Sequence, residues 1–335
     1  MIPLILTSSI VSALITYFST PIIARYMKAR GHIGIDVHKP EKNEVPTSCG
    51  LSIILGLTIG CLIVYMGGSN VLKIKVLTFL LPVIINAIIG FIDDLKVLSG
   101  RVKMLATVIS IIPIIYFSLR FPKIIILGRP EIPILGRLRL TIIYWLLLPL
   151  AIAGPANAVN MLEVLNGVMP ITCSIATLCL LVSAIMLQRL EGILLSAILL
   201  ATLVAYLPYN KYPAKVFSGD VGSLSVGAAI GAIAVISRLE IIAMAALSPH
   251  IMNAFYVVAF VKGFKEHRKI PRPTRVLRDG TIIDSKDPKA PITLVRMIAG
   301  SEGAKEVDIV VSLTIMELIS ALVGIFLAFL MMISG

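Results

Sequence analysis

The recurrence of long apolar runs is the feature that most constrains what this chain can fold into. A helix of about 20 residues crosses the hydrocarbon core of a bilayer, and ten runs are near that length. Apolar residues make up 58% of the sequence and charged residues only 14%, which excludes an ordinary soluble domain. The sequence therefore predicts an all-α integral membrane protein, one bundle of about ten transmembrane helices over residues 1–335. The predicted spans lie near 2–24, 50–68, 75–92, 102–119, 141–156, 168–188, 192–208, 221–237, 239–261 and 307–333.

The distribution of basic residues between these runs predicts the orientation. Most of the 30 Lys and Arg residues lie in alternate loops, and basic loops are retained in the cytoplasm. We expect a multi-pass protein of the cell membrane, or of the endoplasmic reticulum in a eukaryote, with both termini outward. The first run lacks a basic leader and a cleavage site, so it is expected to remain as a permanent helix. The predicted cytoplasmic loops are 25–47, 93–103, 157–167, 209–219 and 262–305.

The net charge and the cysteines argue against nucleic-acid binding and against a disulfide or cysteine metal site. This topology and attraction to anionic lipid headgroups explain most of the formal charge of +12. No aromatic-rich basic domain or recognised binding motif accompanies that charge, so nucleic acid is not an expected partner. The cysteines show no CxxC spacing, which favours free buried thiols over a disulfide or a metal site. They are Cys49, Cys61, Cys173 and Cys179.

Two loops have a composition that predicts local structure. On the outer side, residues 121–140 contain two short β-prone runs separated by Gly and Pro, which predicts a small hairpin. The cytoplasmic loop 262–305 is basic and contains four prolines, so we expect it to be irregular, with one short amphipathic helix near 292–300. This long loop is a candidate lid over a functional site.

An acid pair follows an apolar run directly in "GFIDDLKVLSGRVKML", which contains Asp93 and Asp94. Acids at membrane depth are costly and usually functional, although a solvated helix end is the simpler alternative. Lys103 is placed to bring a phosphate-binding ammonium back from the next helix. A site that handles a cation or a proton is therefore one interpretation of this segment.

A second acid lies between two glycines in "KVFSGDVGSLSVGAAIG", where Asp220 precedes an apolar helix. An aspartate at this place is often an N-cap. Glycines, however, let backbone approach a ligand closely, and a helix N-terminus favours an anion such as pyrophosphate. Phe217 either packs in the membrane or offers its face to a planar base.

Three asparagines and Glu163 interrupt the apolar sequence in "NAVNMLEVLNG". Buried amides cost free energy unless a polar group satisfies them, so Asn157, Asn160 and Asn166 either bond one another or bind a ligand. Asn157, Asn160 and Glu163 would share a helical face, and an amide oxygen is a suitable Mg²⁺ ligand beside carboxylates and phosphates. On the predicted topology the amides, the acid pair and Asp220 meet at one membrane surface, which favours a ligand site.

The segment "FKEHRKIPRPTRV" carries His267, Arg268 and Lys269. Basic juxtamembrane runs commonly set topology or bind lipid headgroups. Facing an acidic metal site, the same run would clamp phosphoryl oxygens. Among the other histidines, His38 is expected to be exposed and His250 to be a hydrogen-bonded packing residue.

Taken in order, the motifs of this chain resemble those of the polyprenyl-phosphate N-acetylhexosamine-1-phosphate transferase superfamily, glycosyltransferase family 4. They are "VPTSCG", "FIDDLKVLSGRVK", "NAVNMLEVLNG", "KVFSGDVGSLSVG" and "HRKIPRP", and the resemblance covers essentially the whole chain. It implies transfer of a sugar 1-phosphate from a UDP-sugar donor to a polyprenyl or dolichyl phosphate acceptor, with release of UMP. It also implies Mg²⁺, for which Mn²⁺ could substitute.

The resemblance assigns a role to each matching position. The metal ligands would be Asn160 and Asp220. The catalytic residues would be Asp93, Asp94 and Lys103, with the acid pair acting as a base or positioning the lipid phosphate. The substrate-binding residues would be Asn157, Asn166, Phe217, His267, Arg268 and Lys269.

The sequence leaves alternatives for the donor sugar and for the functional class of the protein. The final loop resembles the dolichol-linked N-glycosylation branch, which favours UDP-GlcNAc, whereas "GDVGSL" is shared with bacterial members. Another UDP-N-acetylhexosamine or UDP-MurNAc-pentapeptide is therefore an alternative donor. An ion-coupled transporter would place polar groups near the midplane and would show an inverted repeat, which we do not find. A homodimer is one alternative for the oligomeric state.

Overall fold

The structure, a computed structural model, describes residues 1–139, 141–261, 263 and 270–334, and helices make up most of this part of the chain. Each of the ten predicted spans coincides with a helix or a helix pair. The helices are α1 Ile2–Ala29, α2 Leu51–Gly67, α3 Asn70–Leu95, α4 Gly100–Ile109, α5 Ile112–Arg120, α6 Thr141–Leu162, α7 Val168–Met186, α8 Leu190–Asn210, α9 Gly219–Ser237, α10 Glu240–Ala246, α11 Ser248–Val261, α12 Leu294–Ala299 and α13 Glu306–Ser334.

The lengths of these helices confirm an integral multi-pass membrane protein. Within the described ranges, eight helices are long and apolar enough to cross a membrane, if α4 and α5 count as one span. The pair α10 and α11 forms a ninth, bent by 71°. Pro249 in the first turn of α11 accounts for the break, because proline has no N–H to continue the hydrogen bonding of α10. The tenth predicted span is α2, which is shorter, with 17 residues.

The packing of α9 brings the loops after α3 and α6 together. Every residue of α9 from Val221 to Ser237 is buried. Small residues allow neighbouring backbones to approach closely. A Cβ atom added to Gly227 would lie 2.3 Å from the carbonyl oxygen of Pro155 in α6, and one added to Gly90 of α3 would lie 2.3 Å from that of Asp220. The first turn of α9 is therefore enclosed between the ends of α3 and α6.

Three antiparallel hairpins connect helices in the part of the chain that the structure describes. The predicted outer hairpin forms from β3 and β4, although the first β-prone run, near Ile124, continues the end of α5 as a turn. The prediction that 262–305 is irregular was wrong in part, since it contains β5 and β6, whereas the short helix predicted near 292–300 is confirmed as α12. The strands are β1 Ile33–Ile35, β2 Glu44–Pro46, β3 Glu131–Ile132, β4 Gly136–Arg137, β5 Thr274–Val276 and β6 Ile282–Asp284.

Two predictions about packing are confirmed. The four cysteines are buried and unpaired. His250 is 1% exposed at the start of α11. Its Nε2 lies 3.1 Å from the Thr172 hydroxyl and its Nδ1 lies 3.3 Å from a carboxylate oxygen of Glu317. His250 therefore links α11 to α7 and α13 inside the bundle.

Candidate active site

All five loops predicted to share a face contribute to one cavity of about 530 Å³, which we call the first cavity. We call this end of the bundle the site face. Asp94 does not line the cavity, although Asp93 does. His267, Arg268 and Lys269 lie outside the described residues. The predicted site residues that line the cavity are Asp93, Lys103, Asn157, Asn160, Asn166, Phe217 and Asp220.

Lys103 lies at the centre of the polar groups in this cavity. The hydroxyl of Ser99 accepts a hydrogen bond from the Val102 amide and starts α4, so that Lys103 lies in the first turn. The Lys103 ammonium is 2.6 Å from a carboxylate oxygen of Asp93 and also forms an ion pair with Asp220. The chain reversal between α3 and α4 thus returns the lysine to the acid pair, as the sequence predicted.

Asn160 orients the carboxylate of Asp220. Its Nδ2 donates to Asp220 Oδ1 (2.7 Å) and to the Ser223 hydroxyl (2.8 Å). Its Oδ1 therefore faces Lys103, whose ammonium is 3.4 Å away. One turn earlier in α6, the Asn157 amide donates to the hydroxyl of Thr107 (2.8 Å). The two asparagines share a helical face, as predicted, and each is satisfied by a neighbouring helix.

Glu163 follows the end of α6 and lines the same cavity. The Ser218 hydroxyl donates a hydrogen bond to it. Desolvation by the surrounding protein raises the pKa of Glu163 to about 8. The cavity wall therefore contains a carboxyl group that is largely protonated near neutral pH.

Asp94 occupies the N-terminus of α9. Its Oδ1 accepts the backbone N–H of Asp220 (2.8 Å), and its Oδ2 accepts that of Val221 (3.4 Å). This corrects two predictions. The amides of Asp220 and Val221 are already paired with a carboxylate and do not await a pyrophosphate. The alternative in which Asp220 is the N-cap is also wrong, since Ser218 takes that position and the Asp220 side chain pairs with Lys103 and Asn160.

Asn166 and Phe217, the predicted uracil site, lie at the β1–β2 side of the first cavity. The Asn166 amide donates to Asp36 (3.0 Å), and its backbone N–H donates to Glu306 (2.8 Å). Phe217 packs against β1, where a Cβ atom added to Gly34 would lie 2.8 Å from the ring. A half-buried aromatic face and a fixed amide are thus available beside the cavity.

Asp36 and His38 also line the first cavity, although neither was predicted as a site residue. Burial would raise the pKa of Asp36, but hydrogen bonds from Lys39 and Asn166 outweigh it and lower the pKa. Burial lowers the pKa of His38, against the attraction of Asp36. The prediction that His38 is exposed was therefore wrong. No motif marks this segment, and only the pairing of β1 with β2 brings it to the cavity.

A second cavity of about 1150 Å³ adjoins the first and shares His38 and Arg272 with it. None of the described residues that line it is an aspartate or a glutamate. Such a surface raises the local concentration of anions and guides them inward. Its Lys and Arg residues are Lys39, Lys42, Arg272, Arg275 and Arg278.

The donor set of the first cavity fits a Mg²⁺ ion. The Lys103 ammonium already contacts oxygens of Asp93, Asp220 and Asn160, so these oxygens form a pocket that attracts a cation. Mg²⁺ takes one or two carboxylates and completes its shell with water and substrate phosphates. In the described part of the chain no three His, Cys, Asp or Glu residues form a metal-binding group.

Comparison with known proteins places the chain in a family. The model of glycosyl transferase family 4 matches residues 76–238, which hold the acid pair, Lys103, Asn160 and Asp220. The chain belongs to this family of membrane transferases, and the resemblance seen in the motifs is thereby confirmed.

Three relatives show how far the similarity extends. A protein of Saccharolobus solfataricus, provisionally named UDP-N-acetylglucosamine–dolichyl-phosphate N-acetylglucosaminephosphotransferase, is 30% identical over 96% of both chains. A protein of Sulfolobus acidocaldarius with the same provisional name is 31% identical over 69% of this chain and 70% of its own. The phospho-N-acetylmuramoyl-pentapeptide-transferase of Halalkalibacterium halodurans is 29% identical over 79% of this chain and 85% of its own.

Proposed function

We propose that this protein transfers GlcNAc-1-phosphate from UDP-GlcNAc to a polyprenyl phosphate of the dolichyl type. The products are UMP and polyprenyl-pyrophosphoryl-GlcNAc, which begins the synthesis of a lipid-linked glycan. The observation that carries this proposal is the group of Lys103, Asp93, Asp220 and Asn160 around one cavity at the face of a membrane bundle. The names of the two archaeal relatives support the donor and the acceptor.

The reaction exchanges one phosphoanhydride bond for another. An oxygen of the acceptor phosphate bonds to the phosphorus that carries the sugar, and the bond from that phosphorus to the bridging oxygen breaks. The electron pair of that bond leaves with UMP. The acceptor phosphate has a second pKa of about 6, so it is mostly a dianion near neutral pH and needs neither a protein nucleophile nor a strong base.

Repulsion between the two anionic substrates is then the main barrier. Lys103 would bind phosphoryl oxygens and stabilise the charge that develops on them. Asn160 and Asp220 would hold Mg²⁺, which supplies further positive charge against the pyrophosphate when it is bound. Asp93 holds the Lys103 ammonium in the cavity through its ion pair.

The remaining contacts position the donor. Phe217 would stack on the uracil ring while Asn166 bonds its edge. His267, Arg268 and Lys269 would contact phosphate and sugar from the loop that continues into the second cavity. The basic loops of the site face support a cytoplasmic location for this site, where soluble UDP-GlcNAc meets the lipid headgroup.

One alternative donor is favoured by specific observations. The relative from Halalkalibacterium halodurans is named for transfer of a phospho-N-acetylmuramoyl-pentapeptide. The second cavity, of about 1150 Å³, leaves room beyond the first for a substituent larger than an acetamido group. UDP-MurNAc-pentapeptide therefore belongs in the donor panel that tests the function.

The test is UMP release by the purified protein with UDP-GlcNAc and a polyprenyl phosphate, with Mg²⁺, with Mn²⁺ and with a chelator. We expect metal-dependent release of UMP and a matching lipid-linked GlcNAc pyrophosphate, and loss of both in Asp220→Asn. Release from another donor alone would correct the sugar. If no UDP-sugar and no prenyl length supports release by a folded sample, the transferase assignment fails, and substrate flux in vesicles becomes the next measurement.

A further inference from the structure

Asp93 and Asp94 are neighbours in sequence but face different parts of the molecule. Successive residues of a helix point about 100° apart. Asp93 accordingly lines the first cavity and pairs with Lys103, whereas Asp94 lies behind the first turn of α9 and does not line the cavity. The following inference rests on the proposed function, because it assigns a separate task to each acid of the pair.

Both oxygens of Asp94 are already bonded within the protein. Oδ1 accepts the Asp220 N–H (2.8 Å), and Oδ2 accepts the Ser48 hydroxyl (2.8 Å) and the Val221 N–H (3.4 Å). A carboxylate near the first amides of a helix interacts favourably with the helix dipole. Asp94 thus acts as a cap that α3 supplies to α9 from a distance in sequence.

The backbone around this cap leaves little freedom to Asp220. Gly219 has a φ of +69°, and a Cβ atom there would lie 2.4 Å from Asp94 Oδ2 and 2.9 Å from Ser48. The Gly50 N–H also donates to the Ser218 carbonyl (2.9 Å). The segments that contain Gly50, Asp94 and Gly219 therefore meet beside Asp220.

We infer that Asp94 is a positioning residue that caps α9 and fixes Asp220, and that only Asp93 of the acid pair reaches the reacting groups. Asp94 bonds the backbone amide of the same residue whose side chain pairs with Lys103 and Asn160. A change at position 94 would therefore act through the place of Asp220 and not through a lost contact with substrate.

The amide isostere separates the two roles of a carboxylate. In Asp94→Asn, the amide oxygen can still accept the Asp220 N–H while its NH₂ group donates to the Ser48 hydroxyl, and only the long contact with the Val221 N–H is lost. We expect Asp94→Asn to keep turnover within about tenfold of the parent, the order of a surface helix-dipole effect. Asp94→Ala removes the cap, and displacing a site residue by about 1 Å can cost on the order of a hundredfold. Asp93→Asn and Asp93→Ala are the matched controls, and both should fail equally, because Lys103 loses one of its two carboxylate partners in each.

The experiment measures kcat and KM for UMP release across pH for the four variants, with thermal unfolding of each in detergent. A cap predicts that Asp94→Asn keeps the pH profile of the parent. If Asp94→Asn unfolds normally but is as inactive as Asp94→Ala, or loses an acidic limb of kcat/KM, the inference is overturned. If the parent shows no transferase activity, unfolding alone decides it. A lower midpoint for Asp94→Ala than for Asp94→Asn supports the cap, and equal midpoints refute it.

Discussion

Two charged clusters lie at opposite ends of α9, and their compositions are mirror images. At the site face, the single cation Lys103 is surrounded by Asp93, Asp220 and the amide oxygen of Asn160. At the other end, in what we call the far cluster, the carboxylate of Glu131 is surrounded by guanidinium groups. These belong to Arg137, Arg189 and Arg238, at 2.7, 2.5 and 3.2 Å.

The two clusters differ in what lies beside them. The site-face cluster opens into the first cavity, so its charges can act on a ligand. The residues of the far cluster line neither of the two cavities described above, and they join the outer hairpin to the start of α8 and the end of α9. A dense group of charges is therefore not in itself a functional site. We expect only the cluster that adjoins a cavity to affect turnover, and substitutions in both clusters test this.

The largest effect is expected for Lys103→Met. Removing one preorganised charged donor from a reacting phosphate typically costs about 10²–10³ in turnover. We therefore expect UMP release to fall by about that factor, with a lower unfolding midpoint because Asp93 and Asp220 then repel each other. Steady-state kinetics and thermal unfolding measure the two effects.

The matched control for Lys103→Met is Lys75→Met. Lys75 pairs with Glu191 at 2.9 Å and is about as buried as Lys103, with 16% and 14% of the side chain exposed. It lines neither cavity. Lys75→Met should leave turnover unchanged. Equal losses of turnover in the two variants would show that a lysine outside the cavities matters as much for turnover as Lys103.

A smaller effect is expected for Phe217→Ala, which lies in the first cavity but outside the charged cluster. Stacking of a base on an aromatic ring is worth roughly 1–3 kcal/mol, so the KM for the UDP-sugar should rise by about tenfold or more with little change in kcat. Titration of the inhibitor UMP against both proteins should show the same weakening. An unchanged KM would mean that the uracil binds elsewhere.

The spans and the charged and amide residues at the centre of the first cavity could be predicted from the sequence, because both depend on local patterns. Apolar runs must form helices in lipid, where every backbone amide needs a partner within the segment. Asn160 and Asp220 could be identified because polar groups are rare in such runs. The turn between β5 and β6 also had a local signal, since Asp279 and Gly280 form a preferred hairpin turn, but the many prolines nearby obscured it.

The remaining features depend on contacts between distant segments. Nothing in the sequence indicates that Asp94 turns to the amides of α9, or that Asp36 meets Asn166 across 130 residues. The Asp94 contact follows from the close packing of glycine-containing helices. The Asp36 contact follows from the pairing of β1 with β2. Both side-chain directions are therefore set only after distant segments have come together. The acid pair therefore looked like one unit in the sequence, while the structure separates its two members.

The far cluster should affect stability and leave activity unchanged. Glu131→Gln removes the carboxylate that pairs directly with three guanidinium groups, and a hydrogen bond to a charged group contributes about 1.5–3 kcal/mol. Arg137 is 58% exposed, so its share is small, and Arg189 and Arg238 carry most of the effect. We expect a lower unfolding midpoint with the kcat and KM of the parent. A loss of turnover in a folded sample would show that this end of α9 also serves the reaction.

The smallest expected effect is the pH dependence of the stability difference between the parent and Glu131→Gln. Burial would raise the pKa of Glu131, but the Arg137 hydrogen bond and the Arg189 charge outweigh it and hold the pKa below the ordinary value of 4.5. A lowered folded-state pKa means that the carboxylate stabilises the protein fully above the unfolded-state pKa and loses this effect as the pH falls through the folded-state value. The midpoint difference between the parent and Glu131→Gln should therefore stay constant from about pH 8 to about pH 6 and shrink in more acidic buffer. A difference that grows on acidification would show that burial, and not the arginines, controls this carboxylate.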